Sequence, residues 1–231
     1  MNKIRFQIEN TPAILWGEPS PKIYLYVHGK GGCKEEAESF AEMVCAKGWQ
    51  VLSIDLPEHG ERSFEKNTLK PWHAVPELQK VMQYLKLRWE TIGLRANSLG
   101  AWFSLLAFEN EAFAKCLFVS PILDMEHLIC NMMQWSSVSE ETLRQKQEIQ
   151  TPFGETLSWE YLAYTRQHPI LKWPSPTSLL YAGNDHLTER WVVDAFCARF
   201  HSDVSVMVNG EHWFHTNQQL AVLDHWTKNN T

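Results

Sequence analysis

The segment that most restricts the fold is Ala96-Asn97-Ser98-Leu99-Gly100, set between Thr91-Ile92-Gly93-Leu94-Arg95 and Ala101-Trp102-Phe103-Ser104-Leu105-Leu106. It reads as a strand that turns abruptly into a helix, with a serine at the apex and small residues two positions to either side. A serine at such an apex adopts a strained backbone, and the residues two away must be small for strand and helix to pass closely. Gly100 is one of them, and Ala96, which adds only a methyl, stands where glycine is usual. The apex also puts Ser98 at a helix N-terminus, where N–H groups and the helix dipole favour a developing oxyanion. Serine is a favoured N-cap as well, so the segment alone also fits an ordinary capped join.

Around this turn, short apolar strands alternate with amphipathic helices. Lys3 to Glu9 and Ala13 to Gly17 read as an opening hairpin or meander. Strands follow at Lys22–His28, Trp49–Leu56, Thr91–Ala96, Lys115–Ser120, Thr177–Ala182 and Val204–Val208. Helices are expected at about Lys34–Lys47, Trp72–Trp89, after Ser98, Thr188–Phe200 and Thr216–Lys228. Such alternation predicts an α/β fold, a mostly parallel central sheet of about eight strands with helices on both faces. The 231 residues suit one domain, 1–231, able to bury a substantial core.

The stretch 123–173 breaks the alternation and is far too long for a crossover loop. Leu128–Trp135, Glu140–Ile149 and Trp159–Arg166 read as short helices, and the stretch carries Met125, Phe153, Trp159, Tyr161, Tyr164 and Trp173. An aromatic and Met-rich set suits an adaptable apolar surface. We read 123–173 as a helical cap with Met132, Trp135, Trp159 and Tyr161 as candidates to line a substrate pocket; burying a small core of its own is the plainer role for these residues.

Four motifs in order then resemble those of the α/β-hydrolase superfamily over nearly the whole chain. They are His28-Gly29-Lys30-Gly31-Gly32 after an early strand, Asp55-Leu56-Pro57-Glu58-His59-Gly60-Glu61-Arg62-Ser63, the turn at Ser98, and a late pair. That pair is Tyr181-Ala182-Gly183-Asn184-Asp185 and Asn209-Gly210-Glu211-His212-Trp213-Phe214. The resemblance implies a serine hydrolase with Ser98, Asp185 and His212 as its triad in the family's chain order. A serine hydroxyl is a poor nucleophile until an imidazole accepts its proton; His212 would do this and Asp185 would fix its tautomer. Asp124, after the preceding strand, competes for the acid's place, and His215 and His225, read as lying on the closing helix, compete for the base's. The oxyanion hole would use the backbone N–H groups of Lys30 and Leu99, with the Lys30 side chain exposed. His28, Asp55, His59 and Arg62 read as loop-stabilising.

The implied reaction is hydrolysis of a carboxylic ester or thioester of a small or medium apolar acyl group, with a small-molecule acyl substrate and no cofactor. A non-catalytic binding module of the same fold and an acyltransferase using the same serine are the alternatives. No metal site is expected: Glu211-His212-x-x-His215 is not the His-Glu-x-x-His pattern, and no cysteines accompany it. The formal net charge of −6 gives no basic footprint for nucleic acid or an anionic membrane. No segment is long and apolar enough to span a bilayer, and residues 1–10 lack the apolar run of a signal peptide. The five scattered cysteines read as reduced, mostly buried small hydrophobes of a cytoplasmic protein. Oligomeric state is left open.

Overall fold

A computed structural model of the protein describes residues 1–231. The chain begins with an antiparallel hairpin of β1 (Lys3–Ile8) and β2 (Thr11–Trp16), followed by β3 (Lys22–Val27). A single 3-10 turn at Lys34–Ala37 then leads into α1 (Glu38–Cys45), so the expected Lys34–Lys47 helix is shorter and tighter at its start. β4 (Gln50–Ile54), α2 (Pro71–Lys86), β5 (Thr91–Asn97), α3 (Leu99–Ala107) and β6 (Cys116–Val119) come next. The inserted segment contributes α4 (Met125–Trp135), α5 (Glu140–Lys146), β7 (Glu148–Gln150), β8 (Thr156–Ser158) and α6 (Trp159–Gln167). The chain closes with β9 (Thr177–Ala182), α7 (Arg190–Phe200), β10 (Asp203–Met207) and α8 (Asn217–Asn230).

The main sheet has eight strands in the order β1-β2-β4-β3-β5-β6-β9-β10, and every neighbouring pair from β4 onward is parallel. All residues of β4, β6 and β9 are buried, as unbroken apolar runs require when helices cover both faces. Pleating sends alternate residues to opposite faces. On one face, Ile14, Trp16, Tyr24, Tyr26, Val51, Leu117 and Leu180 pack with Phe40, Ala41 and Val44 of α1 and Trp226 of α8. Val27, next after Tyr26, faces the other way and meets α3 at Gly100; α3 in turn packs on β3, β5 and α2.

The chain divides into two compact units, one of Met1–Leu123 with Lys172–Thr231 and one of Asp124–Leu171. Within the second, Leu128, Ile129, Met133, Leu143, Leu157 and Leu162 are buried. Arg166 joins α6 to α4 and α5, bonding Glu126 at 2.8 Å and Glu140 at 2.7 Å. Three expectations need correction here. The helix expected to reach Ile149 ends at Lys146, because Gln147 turns to a φ of 66° and the chain enters the β7–β8 hairpin. Trp173, expected among the cap aromatics, belongs to the first unit, where it packs beside Phe113 and Phe118 and donates to Thr177 Oγ1 at 2.7 Å. Of the cysteines, all five unpaired, only Cys116 is buried; Cys33, Cys45, Cys130 and Cys197 are half-buried. No helix is long and apolar enough to cross a membrane.

Candidate active site

In parallel α/β sheets the carboxyl ends of the strands form the natural place for a site, and here the sequence-predicted residues of the first unit gather there. β5 runs into the turn at Ser98, whose φ of 46° and ψ of −120° lie where L-residues are strained. A Cβ on Gly100 would collide with the carbonyl oxygen of His28, so the small residue demanded by the motif is demanded by the close approach of α3 to the end of β3. Ala96 is fully buried, paired with Val27 and Phe118 of the neighbouring strands. Ser98 is the N-cap of α3, yet its hydroxyl makes no capping hydrogen bond. This removes the ordinary capped join as an account of the serine.

That hydroxyl is instead 2.7 Å from His212 Nε2. On the other side of the ring, His212 Nδ1 is 2.7 Å from Asp185 Oδ2. A carboxylate oxygen only accepts, so Nδ1 carries the proton and Nε2 is left as acceptor for the Ser98 O–H. Asp185 has a fully buried side chain, and its Oδ1 accepts from the N–H groups of Leu187 at 2.8 Å and Thr188 at 3.1 Å. One carboxylate thus organises the turn after β9 and orients the imidazole. The loops after β9 and β10 are tied together by Gly183 N–H to Met207 O and Asn184 N–H to Gly210 O, both 2.8 Å. On its far side the His212 loop is held by α8: Gln219 Oε1 accepts from His215 N–H at 2.9 Å, and Gln219 Nε2 donates to Glu211 Oε2 at 3.0 Å.

The competing candidates have other partners. Asp124 caps α4, accepting from His127 N–H at 2.9 Å. His215 lies before α8 rather than on it, stacked on the exposed Trp213 ring at 4.9 Å. His225 is on α8, beside Asn229.

Next to Ser98 runs the loop Gly29–Gly32, close enough that a Cβ on Gly29 would sit 3.1 Å from Ser98 Cβ. Gly32 N–H bonds Gly29 O at 3.1 Å, and Gly31 has a φ of 80°, the geometry of a turn that needs glycine at its third position. Lys30 is the exposed second residue of this turn, next in the chain to Gly29, and Leu99 opens α3 directly after Ser98. The loop is braced by the next one. His28 Nε2 accepts from Leu56 N–H at 3.0 Å, and His59 Nε2 accepts from Gly31 N–H at 2.8 Å. Burial pushes the His28 imidazole down to about 4, so it is neutral.

One feature of this brace was not legible in the sequence. Lys34, in the charged run Lys34-Glu35-Glu36, is buried, its Nζ 2.5 Å from Asp55 Oδ2 and 3.0 Å from Glu61 Oε1. Asp55 also accepts from Lys34 N–H at 2.9 Å and Glu61 N–H at 3.0 Å. Its partners lie in a different loop, so only a buried aspartate read next to a nearby lysine would have signalled it. Met132, Trp135, Trp159 and Tyr161 all lie in the Asp124–Leu171 unit. There Trp135 is 50% exposed with its ring edge-on to Phe153, while the other three are half-buried.

The sheet order, the turn at Ser98 and the loops at the strand ends define the α/β-hydrolase fold, and the chain has that fold. By sequence, no family model and no curated protein matches it. By structure it is similar to Est1E from Butyrivibrio proteoclasticus with ferulic acid bound, at a TM-score of 0.80 and 15% identity over 98% of this chain and 96% of that one. The mouse alpha/beta hydrolase domain-containing protein 10 matches at a TM-score of 0.74 and 15% identity, over 99% and 98% of the two chains. A monoacylglycerol lipase from Paleococcus ferrophilus matches at 0.65 and 15%, over 100% of both. At these identities the likeness is one of fold.

Proposed function

We propose that the chain is a serine hydrolase that cleaves a carboxylic ester or thioester of a small or medium apolar acyl group. The observation that carries this reading is the hydrogen-bonded series Ser98 Oγ, His212 Nε2, His212 Nδ1, Asp185 Oδ2, headed by a strained serine whose hydroxyl caps nothing. In the proposed reaction Ser98 Oγ attacks the carbonyl carbon while its proton passes to His212 Nε2. The backbone N–H groups of Lys30 and Leu99 receive the oxyanion. Collapse expels the alcohol or thiol, which leaves with the proton from His212, and the acyl group stays as an ester on Ser98. Water, deprotonated by His212, then releases the acid and restores the serine. No cofactor enters any step.

The Asp124–Leu171 unit is proposed as a cap whose Met132, Trp135, Trp159 and Tyr161 hold the acyl group. Its aromatic content supports an apolar substrate rather than a charged one. Among the structurally similar proteins, one is a monoacylglycerol lipase and another holds a carboxylic acid, which agrees with ester chemistry. Five unpaired cysteines support a reducing compartment, and we place the activity in the cytoplasm.

The test is the initial rate on p-nitrophenyl esters of increasing acyl length, wild type beside Ser98→Ala. We expect turnover that peaks at a short or medium chain and falls by about 10⁴ or more in the variant. Rates equal in the two proteins, or no Ser98-dependent turnover on any ester or thioester, overturn the reading.

A further inference from the structure

We infer that His59 is a positioning residue of the proposed reaction: as a neutral imidazole it holds the Gly31 N–H, and with it the turn that carries Lys30 beside Ser98. The inference rests on the reading of Lys30 as an oxyanion donor, and adds to it a residue 28 positions from Gly31 in the chain, in another loop.

The ring's protonation state follows from its two neighbours. His59 Nδ1 is 2.7 Å from the carbonyl oxygen of Pro57, which can only accept, so Nδ1 bears a hydrogen. His59 Nε2 is 2.8 Å from Gly31 N, which can only donate, so Nε2 bears none. His28 repeats the arrangement in the opposite direction, with Nδ1 2.7 Å from Gly29 O and Nε2 accepting from Leu56 N–H. Each loop therefore lends the other a histidine as acceptor for one backbone N–H, and the two rings lie 5.1 Å apart. The turn they brace is one whose middle peptide, Lys30–Gly31, can in general flip. His59 fixes it by holding the N–H of that peptide.

Protonation of His59 would put an N–H on Nε2, facing the N–H of Gly31, donor against donor. The bond would be lost and the turn released. The charged groups nearby already have partners of their own. Asp55, buried at the end of β4, is already bonded to Lys34 Nζ and to the backbone N–H groups of Lys34 and Glu61. Arg62, on the same loop, has its Nη1 3.4 Å from Asp55 O and its guanidinium paired with Glu77 at 2.6 Å and Glu65 at 2.8 Å. Glu58, next in the chain, is bonded to the N–H groups of Thr68 and Leu69. The nearest ring, His28, is held neutral by burial.

The experiment compares His59→Leu, which removes the acceptor, with His59→Gln, whose Oε1 can replace Nε2. We expect His59→Leu to lower kcat by about tenfold or more with KM within about threefold, since a displaced oxyanion donor acts on the transition state. His59→Gln should recover most of the loss. A kcat within twofold of wild type in folded His59→Leu, or no recovery in His59→Gln, overturns the inference. Imidazole ¹⁵N resonances give a reading independent of any ester turnover. A neutral His59 with the proton on Nδ1 at pH 7, coupled through the hydrogen bond to Gly31 N, is expected even if the hydrolase reading fails. A protonated or Nε2–H ring overturns the inference.

Discussion

Ser98 shows at the scale of one residue how little of an N-cap's chemistry is decided by its type. Serine caps helices by turning its hydroxyl back on the N–H groups of the first turn, and in Ser139 and Ser158 of the inserted unit it does so. At Ser98 the positive φ points the hydroxyl away, toward His212. The motif signalled this only because Gly100 is present, and the collision that a side chain there would have with His28 is the physical content of the pattern. Three residues before Ser98 stands a residue no motif explains. Arg95 is 3% exposed, lies between the rings of Phe40 at 5.7 Å and Trp226 at 5.5 Å, and has neither Nε nor Nη1 hydrogen-bonded. Desolvation pulls its guanidinium down to about 10. A buried cation with no carboxylate partner costs stability that an apolar side chain of similar length would not. We therefore expect Arg95→Met to raise stability by about 1 kcal/mol, about 2–4 °C in melting temperature. A melting temperature lowered by the substitution would show that the two ring contacts outweigh the burial of charge.

At the scale of elements, the strands were the most legible part. β9 was read at its observed bounds and the other main-sheet strands within a residue or two, because buried parallel strands are unbroken apolar runs. What the sequence could not show were contacts between elements. Lys34 looks solvated in a run of charge, and its burial depends on Asp55, 21 residues on. The end of α5 was hidden because Gln147 turns the chain with a positive φ and without the glycine or asparagine that advertises one. The loop pair after β3 and β4 makes its own prediction. His28 is neutral when folded, with its value lowered from 6.5 to about 4. Below 6.5 the unfolded chain takes up a proton that the folded chain does not, so stability falls as pH drops from about 6.5 toward about 4. At about 1.4 kcal/mol per pH unit the loss attributable to this ring is about 3 kcal/mol. Urea unfolding across that range, wild type beside His28→Gln, checks it. Equal pH slopes in the two proteins would exclude His28 as the source.

The whole molecule places three side chains from widely separated segments, Ser98, Asp185 and His212, at the ends of β5, β9 and β10, and the parallel sheet is what brings those ends together. The order of the motifs along the chain made this arrangement readable in advance, and with it the fold. The acyl-binding residues were not readable in the same way. Met132, Trp135, Trp159 and Tyr161 were chosen by composition, and a Met- and aromatic-rich helix serves a small core as well as a pocket. The central claim is that Ser98 becomes covalently acylated, and mass spectrometry of the protein quenched during turnover of a p-nitrophenyl ester tests it most directly. The account predicts one acyl group per chain on the peptide containing Ser98, absent from Ser98→Ala and slow to clear in His212→Ala. An acyl group on another residue, or none while ester is being turned over, would contradict it.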